Sequence, residues 1–124
     1  MEDWYVLVIE DDPDGQEVVA RILRHQNIHF DVAATGEEAL ALAQSNAYTL
    51  AIVDLALPGL DGWGFLSAIQ DNPATSALPC VAVTAFHSPD VAIKAIEVGF
   101  MAYFPKPIDA TGFIRELERI VNKS

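Results

Sequence analysis

The stretch Tyr5-Val6-Leu7-Val8-Ile9-Glu10-Asp11-Asp12 decides the fold. It joins a run of apolar residues, rich in β-branched side chains, directly to three carboxylates. A continuous apolar strand is typical of burial on both faces, as in a parallel sheet covered by helices. The abrupt change to acidic residues marks the carboxyl end of the strand, which is where open α/β sheets bind their ligands.

Four later segments carry strand signatures of the same kind. Residues 50–53 and 81–83 are continuous apolar runs, and residues 30–33 and 102–104 are shorter or more mixed. Helix-period apolar residues follow each strand. The predicted helices begin near Asp14, Thr35, Asp61, Ser88 and Asp109. Five strand–helix repeats predict an α/β domain with a doubly wound, five-stranded parallel sheet.

Helical spacing also predicts which side chains face the core. In the first, fourth and fifth helices these are Val18, Val19, Ile22, Leu23, Val91, Ala92, Ala95, Ile96, Phe113, Ile114, Leu117, Ile120 and Val121. Cys80 is the single cysteine and cannot form an internal disulfide, so we expect a small buried residue.

Composition limits the class of protein. A chain of 124 residues predicts one domain, here residues 1–124, with no effector domain. Seven basic against 18 acidic residues give a net charge of −11, which disfavours nucleic-acid and anionic-membrane partners but suits cations. The N-terminus has no basic segment, and the apolar run over residues 4–9 is too short to span a bilayer, so we expect a soluble, cytoplasmic protein.

Polar residues end four of the predicted strands: Glu10-Asp11-Asp12, Asp54, Thr84 and Lys106. Parallel strands end at one edge of a sheet, so these side chains should converge. Two carboxylates about 5 Å apart repel by roughly 3 kcal/mol at an effective dielectric of about 20. Mg²⁺ relieves such repulsion, because it takes oxygen ligands and needs only one or two carboxylates. The pattern therefore favours a metal site, although each residue alone fits a turn, a cap, a strand or a solvated surface.

The lysine and the threonine indicate a phosphate. Lys106 offers a point charge for an anionic oxygen, and Thr84 offers one hydrogen bond. A carboxylate such as Asp54 can attack phosphorus to give an aspartyl-phosphate. Phosphoryl transfer depends mainly on positioning and charge neutralisation, which this set of groups supplies.

Over almost its full length the chain resembles the receiver domain of two-component response regulators. The resemblance rests on four motifs: Val8-Ile9-Glu10-Asp11-Asp12, Val53-Asp54-Leu55 with Pro58-Gly59-Leu60-Asp61-Gly62, Val83-Thr84-Ala85, and Gly99 through Tyr103 to Lys106-Pro107. Thr84 follows Asp54 by 30 residues and Lys106 follows Thr84 by 22, as in that family. The resemblance implies a flavodoxin-like fold with strand order 2-1-3-4-5.

It also implies a role for each acidic residue. Asp54 would accept the phosphoryl group. Asp11 and Asp54 would bind Mg²⁺ directly, or Mn²⁺ in its place, and Glu10 would act mainly through water. The backbone carbonyl of Ala56 would be a further ligand.

Three more positions receive roles in the same way. Lys106 and Thr84 would each hold a phosphoryl oxygen. Tyr103 would be an aromatic switch that turns inward when Thr84 moves toward the phosphate. The bond before Pro107 would be cis.

The implied function is that of a phospho-accepting switch. A sensor histidine kinase or a histidine phosphotransfer protein would phosphorylate Asp54, and the surface of the last two helices and last strand would signal to a downstream protein. Such a domain, a monomer or weak dimer, is not an enzyme beyond catalysing its own phosphorylation and dephosphorylation. Four positions depart from the family pattern: Ala56, Phe86, Phe100 and Pro105. The resemblance implies that the apolar Ala56 and Phe86 would lie where attacking water approaches.

Three alternatives stay open at this point. A haloacid-dehalogenase-type phosphohydrolase needs a second Asp two residues after its nucleophile, where this chain has Ala56. A receiver-like interaction module would work without phosphorylation, although degenerate receivers usually lack the acceptor or the lysine. A flavodoxin-like nucleotide binder would need a Ser/Thr/Gly-rich loop after the first strand, where this chain has acidic residues.

Overall fold

A computed structural model describes residue 1 and residues 3–122 and contains five strands and five helices in strict alternation. The strands are β1 (Tyr5–Ile9), β2 (His29–Ala33), β3 (Leu50–Asp54), β4 (Cys80–Thr84) and β5 (Tyr103–Pro105). The helices are α1 (Pro13–His25), α2 (Gly36–Ser45), α3 (Gly62–Asp71), α4 (Pro89–Val98) and α5 (Ala110–Asn122). The boundaries lie within a few residues of those predicted.

The five strands form one parallel sheet in the order β2-β1-β3-β4-β5. This confirms the predicted fold class and strand order. The order reverses between β1 and β3, which places the switch point of the topology at the carboxyl ends of these two strands. Val8 pairs with Ile52, and Val53 pairs with Ala82, so the ends of β1, β3 and β4 lie in register.

Two hydrophobic layers cover the sheet. In β1, alternate residues pack into opposite layers, with Leu7 and Ile9 on one face and Val6 and Val8 on the other. The first layer is completed by α2, α3 and α4, and the second by α1 and α5. Burial on both faces is why the central strands read as unbroken apolar runs. Cys80 is buried in the first layer, as expected.

The predicted capping residues begin their helices. Side chains of Thr35, Asp61, Ser88 and Asp109 accept hydrogen bonds from backbone N–H groups three residues later, at 2.8–3.2 Å. The first helix is capped by Asp12, which accepts from Gly15 at 3.1 Å, so it begins at Pro13, one residue earlier than predicted. Each cap satisfies an N–H group that has no partner inside its helix.

Two predicted core residues are wrong. Val18 on α1 and Ile96 on α4 are 47% and 52% exposed. Each lies at the edge of its helix's apolar stripe, and the sheet covers only the central part of that stripe, as the burial of Val19 and Ala95 shows. Within the described part of the chain, no helix has the length and apolar character needed to cross a bilayer.

Candidate functional site

Three carboxylates meet at the carboxyl edge of the sheet. Glu10 and Asp11 follow β1 directly, and Asp54 is the last residue of β3. One oxygen from each lies within 4.8 Å of the others. Glu10 and Asp54 are buried, whereas Asp11 is exposed and faces solvent at the mouth of the cluster. The structure thus brings together the acidic residues that the sequence placed at neighbouring strand ends.

The first turn of α1 fixes Glu10 in place. Its backbone carbonyl accepts a hydrogen bond from the side chain of Gln16 at 2.7 Å. Its carboxylate accepts from the backbone N–H of Asp12 at 3.2 Å. A Cβ atom at Gly15 would clash with the same carboxylate, so glycine leaves the space into which Glu10 folds.

Lys106 extends from the end of β5 into this acidic cluster. Its Nζ atom contacts Glu10 Oε1 closely and lies 3.4 Å from Asp54 Oδ2. Partial burial opposes the charge of the lysine, but the hydrogen bond to Glu10 and the charges of Asp54 and Glu10 prevail and raise the pKa of Lys106. Lys106 is therefore a permanent cation that offsets part of the local negative charge.

Burial and the neighbouring Asp54 carboxylate raise the pKa of Glu10 above its ordinary value, against the effect of Lys106. Loss of solvation of the Glu10 carboxylate is the largest cause, and the charge of the cluster acts in the same direction. Three carboxylates face one ammonium group, so the cluster retains a negative charge that favours either a proton or a cation. A bound divalent cation would satisfy that charge without protonating Glu10.

The Asp54 carboxylate is oriented by the loop that follows β3. Its Oδ1 atom accepts a hydrogen bond from the backbone N–H of Ala56 at 3.0 Å, which leaves Oδ2 on the side of Lys106. Behind it, Gly62 at the start of α3 packs against the backbone of β3, where an added Cβ would stand 2.7 Å from the Leu55 Cα atom. These contacts fix the Asp54 carboxylate and the backbone that follows it.

Thr84 ends β4 and is buried beside the cluster. Its backbone carbonyl accepts from the N–H of Lys106 at 2.9 Å, so the two residues are joined across the sheet. Its hydroxyl accepts from the N–H of Phe86 at 3.1 Å. An open cleft of about 230 Å³ is lined by Thr84, Ala56 and Phe86, among others, and lies beside the strand ends.

Tyr103 occupies the start of β5, which is separated from β3 by β4. It is half-buried, pairs with Ala82 in the sheet register and packs against the first hydrophobic layer. Its hydroxyl lies 2.9 Å from Nδ1 of His87. The peptide bond between Lys106 and Pro107 is cis.

The donor set fits Mg²⁺. Oxygen ligands in a cluster of net negative charge are what a hard divalent cation requires, and Asp11 and Asp54 supply one carboxylate each. Glu10 is already engaged by Lys106 and the Asp12 N–H, which suits a role through water. The carbonyl of Ala56 as a ligand stays a prediction.

Sequence reasoning missed two contacts that shape the site. The ion pair between Glu10 and Lys106 joins residues 96 positions apart, and the hydrogen bond between His87 and Tyr103 joins a loop to a strand. The ion pair could have been predicted from the sequence pattern, because both residues stand at strand ends. The second had no local signal, since His87 lies in a loop and has no ligand-like spacing to another histidine.

Comparison with known proteins agrees with this geometry. The family model described as "Response regulator receiver domain" matches residues 6–118. The transcriptional regulatory protein HprR of Escherichia coli K12 is 33% identical over 102 residues, which are 82% of this chain and 44% of HprR. The chain thus spans less than half of that relative.

Two solved structures show the likeness in three dimensions. The receiver domain of a sensor histidine kinase from Pseudomonas aeruginosa PAO1, with a magnesium ion coordinated in its active-site cleft, has a TM-score of 0.88 and 26% identity, covering 96% of this chain and 98% of that one. The chemotaxis protein CheY4 of Vibrio cholerae has a TM-score of 0.86 and 26% identity, covering 94% and 98%.

Proposed function

The chain belongs to the receiver domain family of two-component response regulators, and we propose that it accepts a phosphoryl group on Asp54 with the help of Mg²⁺. Receiver domains are signalling domains rather than classical enzymes, and they interact with histidine kinases. The observation that carries the proposal is the position of Asp54. Its buried carboxylate lies at the meeting point of two further carboxylates and a lysine.

The proposed reaction uses the groups that face Asp54. An oxygen of Asp54 attacks the phosphorus of a phosphohistidine, a P–O bond forms, and the P–N bond breaks with its electron pair left on the imidazole of the donor, which takes a proton. Asp11 and Asp54, with Glu10 acting through water, would hold the Mg²⁺ ion, which would supply charge neutralisation for the phosphoryl oxygens.

The chain's own residues hold the phosphoryl group. Lys106 is already 3.4 Å from Asp54 Oδ2, so its ammonium can neutralise one phosphoryl oxygen without a large movement. The hydroxyl of Thr84 accepts from the Phe86 N–H and can still donate its own hydrogen to another oxygen. The Ala56 N–H keeps Oδ1 of Asp54 in place. Water that attacks the same phosphorus would release inorganic phosphate and restore the carboxylate.

The phosphoryl donor is proposed to be a histidine kinase or a histidine phosphotransfer protein, and the output a downstream protein. The surface around α4 supports a protein partner, because Ile93, Ile96 and Met101 are about half exposed there. The net charge of −11 makes nucleic acid and anionic membranes poor partners. We propose a monomer or weak dimer that works in the cytoplasm.

The experiment combines beryllofluoride, a stable mimic of the phosphoryl group, with Mg²⁺. Titration is expected to change the fluorescence of Trp63, which is half-buried and lines the cleft beside Thr84. Asp54→Asn should abolish the response, and Asp90→Asn, an equal charge change on the first turn of α4, should leave it intact. A missing response in the unmodified protein, together with no labelling by phosphorylated kinases, would exclude the proposal and favour an interaction module that works without phosphorylation.

A further inference from the structure

The loop between β3 and α3 (residues 55–61, here called the β3–α3 loop) supplies backbone groups to the candidate site. The N–H of Ala56 donates to Oδ1 of Asp54 at 3.0 Å, and the carbonyl of the same residue is the predicted further ligand of Mg²⁺. Ala56 is itself exposed, so packing of its side chain does not fix it. The position of the β3–α3 loop therefore determines where both groups lie relative to Asp54.

Contacts at the ends and in the middle of the loop hold most of it. At its base, the N–H of Gly62 donates to the carbonyl of Leu55 at 3.2 Å. In the middle, Leu57 is buried in the first hydrophobic layer. Near the end, the Asp61 side chain caps α3. These contacts leave the tip, residues 58–60, which is exposed or half-buried.

The first turn of α2 packs against this tip. The Glu37 carboxylate accepts a hydrogen bond from the backbone N–H of Leu60 at 3.3 Å. Gly36 is buried, and an added Cβ there would overlap the Leu60 carbonyl oxygen. Gly59 turns the chain with a φ of 69°, and a Cβ there would stand 3.1 Å from the Glu37 carboxylate. Within residues 3–122, the Leu60–Glu37 bond is the hydrogen bond that joins α2 to this loop.

We propose that Glu37 is a positioning residue for the magnesium site, because it holds the tip of the β3–α3 loop and thereby the N–H and carbonyl of Ala56. The proposal rests on the proposed function, to which Mg²⁺ and the Ala56 ligand belong. Glu37 lies outside the group of three carboxylates whose oxygens come within 4.8 Å of one another. It therefore acts through the loop and not by binding the metal ion.

The effect of Glu37 follows from the populations of the loop. Without the carboxylate, the Leu60 N–H bonds to water, which costs little at an exposed contact, so the tip is free to leave α2. The loop then spends part of its time in positions where the Ala56 groups are out of place. The apparent affinity for Mg²⁺ falls by the fraction of molecules that stay ready to bind. The remaining loop contacts keep this loss moderate.

Two substitutions at position 37 separate the hydrogen bond from the charge. Glu37→Ala removes both and should weaken Mg²⁺ binding about two- to fivefold. Glu37→Gln removes the same charge but keeps an oxygen that can accept from the Leu60 N–H, so it should bind Mg²⁺ nearly as tightly as the unmodified protein. Titration calorimetry measures the affinities. In the metal-free protein, the amide hydrogens of Leu60 and Ala56 should exchange faster in Glu37→Ala than in Glu37→Gln.

Glu38 provides a matched control in the same turn of α2. Its carboxylate accepts from the backbone N–H of Ala34 at 2.9 Å and has no hydrogen bond to the β3–α3 loop. Glu38→Ala makes the same truncation and the same charge change as Glu37→Ala. It should lower the free energy of unfolding, measured by urea denaturation, and leave the affinity for Mg²⁺ and the exchange of Leu60 unchanged.

The outcomes distinguish this proposal from the proposed function. An unchanged affinity in Glu37→Ala, or an equal loss in Glu37→Gln or in Glu38→Ala, would overturn the role of Glu37 while leaving phosphorylation of Asp54 intact. If the unmodified protein bound neither Mg²⁺ nor beryllofluoride, the proposed function would fail, and the role of Glu37 with it.

Discussion

Lys106 lies with its ammonium nitrogen 3.4 Å from Oδ2 of Asp54, at the end of a strand that is two positions away in the sheet. The same ammonium group also pairs with Glu10. One cation therefore stabilises two buried carboxylates that would otherwise repel each other.

Replacing Lys106 with Met should destabilise the protein in the absence of a divalent cation. Breaking a buried ion pair costs about 3–5 kcal/mol, and the partial exposure of Lys106 reduces this to about 1–2 kcal/mol. Mg²⁺ should recover part of the loss, because it replaces the missing positive charge. Urea denaturation with and without Mg²⁺ measures both effects. Arg21→Met removes an exposed cation from α1 and serves as the control, and equal losses in the two variants would contradict the assigned role of Lys106.

Asp11→Asn should weaken Mg²⁺ binding by at least about tenfold with little change in stability. Asp11 is exposed, so its removal should alter the free energy of unfolding by less than about 0.5 kcal/mol. Its carboxylate is nevertheless one of three in the cluster and the one most open to a hydrated ion. Titration calorimetry measures the affinity. Asp14→Asn makes the same charge change in the first turn of α1, and a similar loss of affinity there would show that only the overall charge matters.

Gly62→Ala should destabilise the protein and displace Asp54. The added methyl would stand 2.7 Å from the Leu55 backbone, and neither the strand nor the helix can yield easily, so we expect a cost of about 1–3 kcal/mol. Gly64→Ala in the same helix comes close only to the end of the Leu60 side chain, which can rotate, and makes an ordinary contact with Asp61 Oδ1. Urea denaturation should therefore show a lower free energy of unfolding for Gly62→Ala than for Gly64→Ala. The affinity for beryllofluoride should fall only in Gly62→Ala. Equal stability and equal beryllofluoride affinity in the two variants would show that the loop after β3 shifts to accommodate the added methyl group.

The Asp31 carboxylate, which is remote from the site, should determine part of the dependence of the free energy of unfolding on acidic pH. Asp31 on β2 accepts hydrogen bonds from the hydroxyls of Tyr5 and Tyr48, the latter at 2.7 Å. The bond from Tyr5, aided by that from Tyr48, lowers the pKa of Asp31. Its stabilising contribution is therefore present above the ordinary carboxyl value of about 3.9 and is lost as the pH falls through the lower value of the folded state.

Asp31→Asn should accordingly lower the free energy of unfolding at neutral pH and flatten its decline below about pH 4. Denaturant titrations at a series of pH values measure this. Asp71→Asn, at the exposed end of α3, makes the same charge change and should leave the acid decline in place. If the free energy of unfolding of the unmodified protein and of Asp31→Asn fell in parallel with decreasing pH, Asp31 would not be the group responsible.

The sequence predicted the sheet and the site for the same physical reason. Strands buried on both faces leave unbroken apolar runs, and the residues that end them must meet at one edge, so Asp54 and Lys106 could be placed together without a structure. Helix faces were harder to judge. Periodicity indicates the direction of the apolar stripe but not how much of it the sheet covers, which is why Val18 and Ile96 were assigned to the core incorrectly.

The sequence pattern could not predict contacts between side chains that are far apart in the chain. The hydrogen bonds of Asp31 with Tyr5 and Tyr48 join two strands and a loop, and they depend on rotamers and register that no local spacing encodes. The same holds for His87 and Tyr103.

The buried Cys80 gives this chain a practical property. As the single cysteine, shielded from solvent and with a pKa that burial raises to about 12, it should stay unreactive toward maleimides. A second thiol introduced at the exposed position of Ile96 would then be the one that a dye modifies. Such a conjugate would turn α4 into an optical reporter without the need to remove the native sulfur first.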